Sequence, residues 1–565
     1  MPTKESPLTA IGPIIHRNLS KLSKPGVLTV RPGYELCDHR LTGKPAIVVT
    51  VHTKKDPPRG EKLPERLEGV PVDVREATPY QRLRAGDPES AAVALTYGRQ
   101  EMREPAWPGE LEMPSGKPLA SRQPPVHVAL QPHAHKPQVP YSPAADTPLD
   151  PVQGAITITA GVSPDCGLEL LDKFLAGTQS SLVVAMYDFT SGGILGTFEK
   201  VLDRRNLQMV LDNPSLNPTA NQSDPETVDA LQQDLGNRFC FAWALERGDR
   251  HAQAWIFPSA YHIKVIVRDG ASIWLSSGNL NNSNEPDPDA PPKTEDRDWH
   301  VVVEDQKLAE TFAAYIQNDF QVASEHQADA PNEVQSAITR ANVKLAQNAN
   351  PPPPPRVAEA AAAERQTDIQ VFRNEDVKIT PLLTPDVVPG STDGLYVSRM
   401  LELINSAQQS LDIQLQYVEV PKDDADGDLK NLLLAVKALV DKGVQVRILQ
   451  SLQFGEKWAE RMRSMPDIDL TSVMKLQPNV HNKGFVIDSH TVVISSQNWS
   501  GEGVRQNRDA GLIIESAPIA QYFEQVFAAD WEKFEPFDQA GATASKRGSA
   551  EPKPVARRRA AAALR

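Results

Sequence analysis

Apolar positions in the stretches LELLDKFLAG (168–177) and SRMLELINSAQ (398–408) recur at three- and four-residue intervals, the spacing of a helix that buries one face. Each stretch leads into a predicted strand, SSLVVAMYDF at 180–189 and QSLDIQLQYV at 409–418. Another helix and another strand follow in both places, NLQMVLD (206–212) and GVQVRILQ (443–450). Strands alternating with helices predict a mainly parallel sheet with helices outside it, here doubled into an α/β sandwich, and such folds carry their chemistry at one end of the sheet.

Elsewhere the pattern is weaker or absent. LTAIGPIIHRNLSKL (8–22) has helical spacing, AIVVTVHT (46–53) reads as a buried strand and GVPVDVREA (69–77) as a half-exposed one, so residues 1–80 form a small α/β unit. From 81 to 153, proline, alanine and polar residues show no sustained period, the mark of a linker that cannot bury enough surface to fold. His127, His133 and His135 fall inside it and read as linker residues rather than metal ligands. A second linker, 326–365, holds Pro351 to Pro355 and a short Ala/Glu stretch and suits a stiff spacer. The linkers bracket two segments of similar length, 154–325 and 366–538, and the chain ends in a basic tail, 539–565, with Arg557 to Arg559.

The two long segments are a repeat. YHIKVIVRDGASIWLSSGNLNNSN (261–284) aligns with VHNKGFVIDSHTVVISSQNWSGEG (480–503), so that His481, Lys483, Asp488, Ser496 and Asn498 each lie 219 residues after His262, Lys264, Asp269, Ser277 and Asn279. Further on, RDWHVVVED matches RDAGLIIES and the offset becomes 211 for Asp298 with Asp509, Glu304 with Glu515 and Asp319 with Asp530. One insertion in the first copy, around EPDPDAPPK, accounts for the slip as a longer surface loop.

Both copies read His-x-Lys-x4-Asp-x6-Ser-Ser-x-Asn. Residues two apart on a strand point to the same side, which pairs His262 with Lys264 and His481 with Lys483. Asp269-Gly270 is a two-residue hairpin signal that returns the chain and brings Asn279 back toward His262, and Asp488-Ser489 does the same for Asn498. One imidazole, one ammonium and one carboxamide thus converge from each half. Fixed Lys and Asn donors suit the charge that develops on phosphoryl oxygens, and two histidines supply a nucleophile and an acid for the leaving group. Neither motif carries a cysteine cluster, an HExxH helix or a calcium-type loop, so no metal and no cofactor is implied.

The two motifs resemble the HKD signatures of the phospholipase D superfamily, a match that covers about 154–538. The resemblance implies a duplicated α/β sandwich with a pseudo-twofold active site, in which one histidine forms a phosphohistidine intermediate and the other protonates the leaving group. Carried over by position, His262 is the nucleophile, His481 the general acid, and Lys264, Lys483, Asn279 and Asn498 hold the phosphoryl oxygens. Asp269 and Asp488 brace the strand and turn, Ser277 and Ser496 support the loop, and Asp298 and Asp509 accept a hydrogen bond from the second ring nitrogen of a histidine, with a surface ion pair to Arg297 or Arg508 as the other reading. Where the family has Gly-Ser this chain has Ser276-Ser277 and Ser495-Ser496, an added hydroxymethyl expected to narrow the floor of the site. Residues 1–80 resemble a short module found ahead of some trypsin-like proteases and other bacterial enzymes, which implies an accessory role toward an unnamed protein partner.

Charge and composition then sort the substrates. A net charge of −14 opposes non-specific adhesion to nucleic acid, which favours a phospholipid over a nucleic-acid phosphodiester. A lipid enzyme calls for an apolar rim, to which Phe257, Tyr261, Phe454 and Trp458 are candidates; a nuclease calls for basic residues among aromatics, where KWAERMR and Lys475 offer a modest cluster. A non-catalytic binding module is a third reading, opposed by intact motifs in both halves. No apolar run of signal-peptide or membrane-span length is read, which points to cytoplasmic residence with peripheral membrane contact, export by a route that needs no cleaved signal being the other reading, and against the synthases that carry amino-terminal membrane helices. Three cysteines, Cys37, Cys166 and Cys240, are too few for a disulfide framework. Because one chain supplies both motifs, a monomer completes the site.

Overall fold

The computed structural model describes residues 8–37, 40–54, 62–88, 91, 107, 109–113, 142–144, 147–212, 222–247, 253–255, 257, 260–286, 295–325, 367–421 and 427–534. His127, His133, His135, Pro351 to Pro355 and Arg557 to Arg559 lie outside these residues.

Each repeat builds seven strands of a 14-stranded sheet, in mirrored order about its centre. From one edge inward the first repeat runs Phe239–Trp243, Asn206–Leu211, Ser181–Met186, Val265–Arg268, Ser272–Ser276, Asp298–Glu304 and Val152–Ser163. The second runs Met474–Gln477, Gln445–Ser451, Ser410–Leu415, Lys483–Ile487, Thr491–Ser495, Asp509–Glu515 and Gln370–Thr384, and the two innermost strands pair antiparallel. The expected mainly parallel sheet is therefore corrected. Only the three outer strands of each half are parallel, and the inner four are antiparallel. Helical crossovers join the outer strands, whereas the motif strands return through tight hairpins, which can only make antiparallel pairs. Asp269 and Gly270 take φ of 55° and 64°, Asp488 and Ser489 both 51°, the left-handed pair that a twist-matched two-residue turn requires.

Strands with both faces buried divide their residues between two cores. Val265, Val267, Ile273 and Leu275 point inward to meet Val486, Val492 and Ile494 of the other half. Ile266, Trp274 and Val302 point outward under the helices Gly167–Ala176, Gly192–Val201 and Asp224–Leu235, while Phe485, Ile487 and Val493 do so under Leu395–Ser406, Gly427–Asp441 and Leu452–Arg463. The long helices Gln306–Glu325 and Ala517–Glu532 complete the shared core. Inner-face packing is close. A Cβ on Gly484 would stand 2.3 Å from the Trp299 ring, so the second motif strand needs glycine there.

The amino-terminal unit is larger than its first 80 residues. Its five-stranded sheet, ordered Arg66–Leu67, Val70–Glu76, Arg40–Val51, Val27–Cys37, Leu111–Glu112, draws its last strand from the span read as linker, as does most of the helix Pro79–Gly86. The unit shares one core with the second repeat. Glu460 of the helix Leu452–Arg463 is fully buried, 2.7 Å from Arg31 and 3.2 Å from Arg75, and accepts the N–H of Tyr34 at 3.0 Å. Burial pushes its carboxyl up, but the two guanidiniums outweigh burial and hold it below the ordinary range. Among the described residues no helix is long and apolar enough to cross a membrane.

Candidate active site between the two repeats

Contrary to expectation, the histidines lie not on a strand but just ahead of the strands Val265–Arg268 and Lys483–Ile487, where the repeats touch. Tyr261, just before His262, bridges Arg508, and Val480, just before His481, bridges Arg297. The N–H of Arg508 donates to the carbonyl of Ala260 at 2.9 Å; that of Arg297 donates to Asn479 at 2.8 Å, and His481 returns its own N–H to the Arg297 carbonyl at 3.1 Å. Each histidine is thereby stitched beside the aspartate of the opposite repeat. Nδ1 of His262 lies 2.8 Å from Oδ1 of Asp509, and Nδ1 of His481 lies 3.0 Å from Oδ1 of Asp298. The aspartates do meet ring nitrogens, as expected, but across the repeat rather than within it.

The proton positions follow from the partners. Ser277 Oγ accepts the N–H of Trp299 at 3.0 Å, so its own hydrogen is left for Asp298 Oδ1 at 2.7 Å. Ser496 Oγ accepts from Ala510 N at 3.0 Å and donates to Asp509 Oδ1 at 2.6 Å. An ionised carboxylate only accepts, so Nδ1 of each imidazole carries a hydrogen and Nε2 is the working nitrogen. Burial would push the Asp298 carboxyl up, but the charge and hydrogen bond of His481, with Lys483 and His300 nearby, hold it below the usual carboxylate range.

Lys264 and Lys483 are fully buried, and each Nζ donates at 2.5 Å to the carbonyl of the histidine two residues before it. Lys483 Nζ also lies 3.1 Å from each ring nitrogen of His481. Lys264 sits 5.0 Å from the ring centre of Tyr187, whose edge meets the His262 ring at 4.8 Å. Asn279 and Asn498 are buried, at 2% and 0% exposure, and Asn279 Oδ1 and both amide atoms of Asn498 find no hydrogen-bond partner among the described residues. Of these atoms Asn498 Nδ2 is a donor and, with the two lysine ammonium groups, suits an anionic ligand, whereas the amide oxygens are acceptors that call for a donor.

Asp269 and Asp488 stand apart from this cluster. Asp269 accepts the N–H groups of Gln179, Ser180 and Ser181 at 2.7–2.9 Å, and Asp488 those of Gln408, Gln409 and Ser410 at 2.7–2.8 Å. Both carboxyls sit below the ordinary range because these N–H groups outweigh burial. Seven residues of extended chain, roughly 20 Å, separate each from its histidine, so they brace the hairpin only.

Two further expectations change. The hydroxyls of Ser276 and Ser495 do not line a floor; Ser276 Oγ lies 2.7 Å from His300 Nδ1 and Ser495 Oγ donates to the Lys483 carbonyl at 3.0 Å, both behind the site. Phe257, Tyr261 and Trp458 are core residues, and of the four rim candidates Phe454 alone is exposed, at 37%. The basic cluster also faces elsewhere. Lys457 pairs with Glu110 at 3.4 Å, Arg463 lies 5.7 Å from the Tyr34 ring centre, both in the amino-terminal unit, and Lys475 Nζ is 4.0 Å from the Trp531 ring centre.

The arginines that close the junction were read from the sequence only as partners in a surface ion pair. Arg297 donates twice to Asp530 of the other repeat, at 2.8 and 3.1 Å, and to Asp165 and the Ser163 carbonyl. Arg508 donates to both oxygens of Asp319, at 2.9 and 2.7 Å, and to Asp386 and the Thr384 carbonyl. The shared 211-residue offset of Asp319 and Asp530 was the available signal; that each serves the opposite repeat was not. Surface ion pairing is excluded for both arginines, which are 7% and 0% exposed.

Comparison with known proteins finds partial matches. The family model described as "Cardiolipin synthase, PLD-like domain" matches residues 400–531. The chain is 27% identical over 160 residues to the mitochondrial cardiolipin hydrolase of Mus musculus, covering 27% of this chain and 64% of that protein. It is 26% identical over 141 residues to that of Homo sapiens, covering 25% and 52%. The match thus spans less than two thirds of either relative. Among solved structures, phosphatidylserine synthase of Haemophilus influenzae Rd KW20 aligns with a TM-score of 0.45 at 14% identity, over 69% of this chain and 92% of that one. Nuc, a phospholipase D family member from Salmonella typhimurium, aligns with a TM-score of 0.23 at 17% identity, over 29% and 99%.

Proposed function

Because this chain belongs to the phospholipase D superfamily, we propose that it cleaves a phospholipid phosphodiester in two steps, releasing the head group and leaving phosphatidic acid. The observation that carries the reading is the crossed pairing, His262 on Asp509 and His481 on Asp298, which gives two imidazoles with Nδ1 anchored and Nε2 available. In the first step His262 Nε2 attacks phosphorus, a P–N bond forms, the P–O bond to the leaving alcohol breaks, and His481 passes the hydrogen on its Nε2 to that oxygen. In the second, water is deprotonated by His481 and attacks phosphorus, and the P–N bond breaks to free His262. An alcohol in place of water gives transphosphatidylation. Lys264, Lys483, Asn279 and Asn498 stabilise the equatorial oxygens in a cleft whose side chains are already desolvated.

A lipid substrate is favoured over a nucleic acid by the net charge of −14 and by the use of the KWAERMR residues against the amino-terminal unit. Cardiolipin, the lipid in the relatives' names, joins phosphatidylcholine and phosphatidylethanolamine as a test substrate. The experiment measures product release from micelles of these lipids and from a single-stranded oligonucleotide, in EDTA, with His262→Ala and His481→Ala alongside. Release from lipid that disappears in both variants supports the reading. Cleavage of the oligonucleotide alone makes the chain a nuclease with the same two histidines, and no cleavage of either makes it a binding module.

A further inference from the structure

The two repeats differ around their Ser-x-Asn loops in a way that is balanced in volume and unbalanced in charge. At the 219-residue offset Gly278 and Asn284 answer to Gln497 and Gly503, and at the 211-residue offset Asp296 and His300 answer to Asn507 and Gly511. A Cβ on Gly278 would lie 2.8 Å from Asp298 Oδ2 and 2.9 Å from Asn284 Cβ, so the first repeat has no room for a side chain there. The second repeat carries Gln497 at that place and has glycine at 503 and 511, with Gln497 Oε1 3.3 Å from where a Cβ on Gly511 would stand. Volume is thus exchanged between neighbours. Charge is not, because the carboxylate of Asp296 has only the neutral Asn507 opposite it.

Asp296 is held where the Asn279 loop meets the segment that carries His481. Its N–H donates to the Ser283 carbonyl at 2.8 Å, and its Oδ2 accepts from Asn284 Nδ2 at 3.2 Å, while Asn284 Oδ1 accepts the N–H of Asn279 at 3.0 Å. The next residue, Arg297, is the one whose backbone exchanges hydrogen bonds with Asn479 and His481. Beside it Asp298 Oδ2 and Asn279 Oδ1, on residues 0% and 2% exposed, have no partner among the described residues. This side of the site therefore presents oxygen acceptors in want of donors. Burial pushes the Asp296 carboxyl up to about 6, with Asp298 adding to the rise and His481, the Ser283 hydroxyl and Lys483 opposing it, so it is largely ionised at pH 7.5.

We propose that Asp296 selects the leaving group, accepting hydrogen bonds from a positively charged amine on the alcohol that departs beside His481. This rests on the reading above in which His481 is the acid for that alcohol. A carboxylate so placed gains from an ammonium and repels a second phosphate, which would set an amino-alcohol ester above a glycerol ester at this site.

The test uses the full chain, bis(4-nitrophenyl) phosphate as reporter, and phosphoethanolamine against glycerol phosphate as competing inhibitors at pH 7.5. The ratio of the two inhibition constants is internal to each variant, so a change in turnover does not enter it. In the wild type it favours phosphoethanolamine by about tenfold or more, as one hydrogen bond between charged groups allows. Asp296→Asn, which copies Asn507, brings the ratio to near one; Asp296→Glu keeps a preference, Asn507→Asp leaves it unchanged, and in the wild type it fades as the pH falls below 6. A ratio near one in the wild type, or one that survives Asp296→Asn, overturns the proposal. If the reporter is not hydrolysed, the phosphodiesterase reading fails, and the same ratio read by titration calorimetry still decides the role of Asp296.

Discussion

His262 and Asp509 stand 247 residues apart in the chain and 2.8 Å apart in space, so the second repeat sets the tautomer of the first repeat's histidine. Asp298 does the same for His481. Asp509→Asn replaces an obligate acceptor with an amide that can offer N–H instead, which lets the imidazole place its hydrogen on Nε2. The expected loss in kcat on bis(4-nitrophenyl) phosphate is on the order of 10²-fold, with KM changed far less. Asp298→Asn costs a similar factor for a different reason, since the His481 ring, protonated on both nitrogens as the acid, loses the carboxylate that balances its charge. Steady-state kinetics decide it, and a kcat equal to wild type for either variant would show that the carboxylates do not set the imidazoles.

The serines extend this crossing by one residue. Ser277 feeds its hydrogen to Asp298 and so acts on His481; Ser496 acts through Asp509 on His262. A hydrogen bond to a charged group is worth about 1.5–3 kcal/mol, so Ser277→Ala lowers the rate by at most about a hundredfold, and Ser277→Thr restores part of it. The discriminating readout is the Nδ1–H proton resonance. Ser277→Ala should move that of His481 and leave His262 in place, and Ser496→Ala should do the reverse. Movement of the histidine in the same repeat would contradict the crossed arrangement.

Much of this site was legible because a repeat checks itself. The offset of 219 singles out His, Lys, Ser and Asn, and the Asp-Gly pair at 269–270 marks the hairpin, whose φ values are 55° and 64°. Spacing within one motif, however, says nothing about which repeat supplies a partner, so the crossed carboxylates and the roles of Arg297 and Arg508 were not readable. Burial was hidden too: Phe257, Tyr261 and Trp458 look alike in sequence whether they face lipid or core. Docking of the amino-terminal unit depends on contacts such as Tyr34 with Glu460, 426 residues apart, for which local pattern carries no signal.

Removing an arginine from the junction should cost stability rather than chemistry alone. Arg508→Met keeps the volume but leaves Asp319 and Asp386, 2% and 6% exposed, without their cation. Breaking one side of a buried ion pair costs about 3–5 kcal/mol, which urea denaturation reads as a lowered midpoint at unchanged slope. A midpoint within error of wild type would mean that water, not Arg508, meets those carboxylates.

Stability should also depend on pH through His300, which is fully buried between Ser163 Oγ at 2.9 Å and Ser276 Oγ at 2.7 Å. Burial lowers its pKa from 6.5 to about 4, so it is neutral in the fold at a pH where the unfolded chain is already protonated. With the folded value depressed, its contribution is fully present above 6.5 and is lost as the pH falls toward 4. Glu285, 3.3 Å away and pushed well above the ordinary carboxylate range by burial, has the opposite sign, since the unfolded chain gives up that proton first as the pH rises. The two slopes oppose each other in wild type, so His300 is isolated as a difference. The stability advantage of wild type over His300→Gln, measured by urea denaturation at pH 7.5, 5.5 and 4.5, should shrink by about 2–4 kcal/mol across the window, given about 1.4 kcal/mol per pKa unit. An advantage that stays constant over that range would mean that His300 takes up its proton inside the fold as easily as outside it.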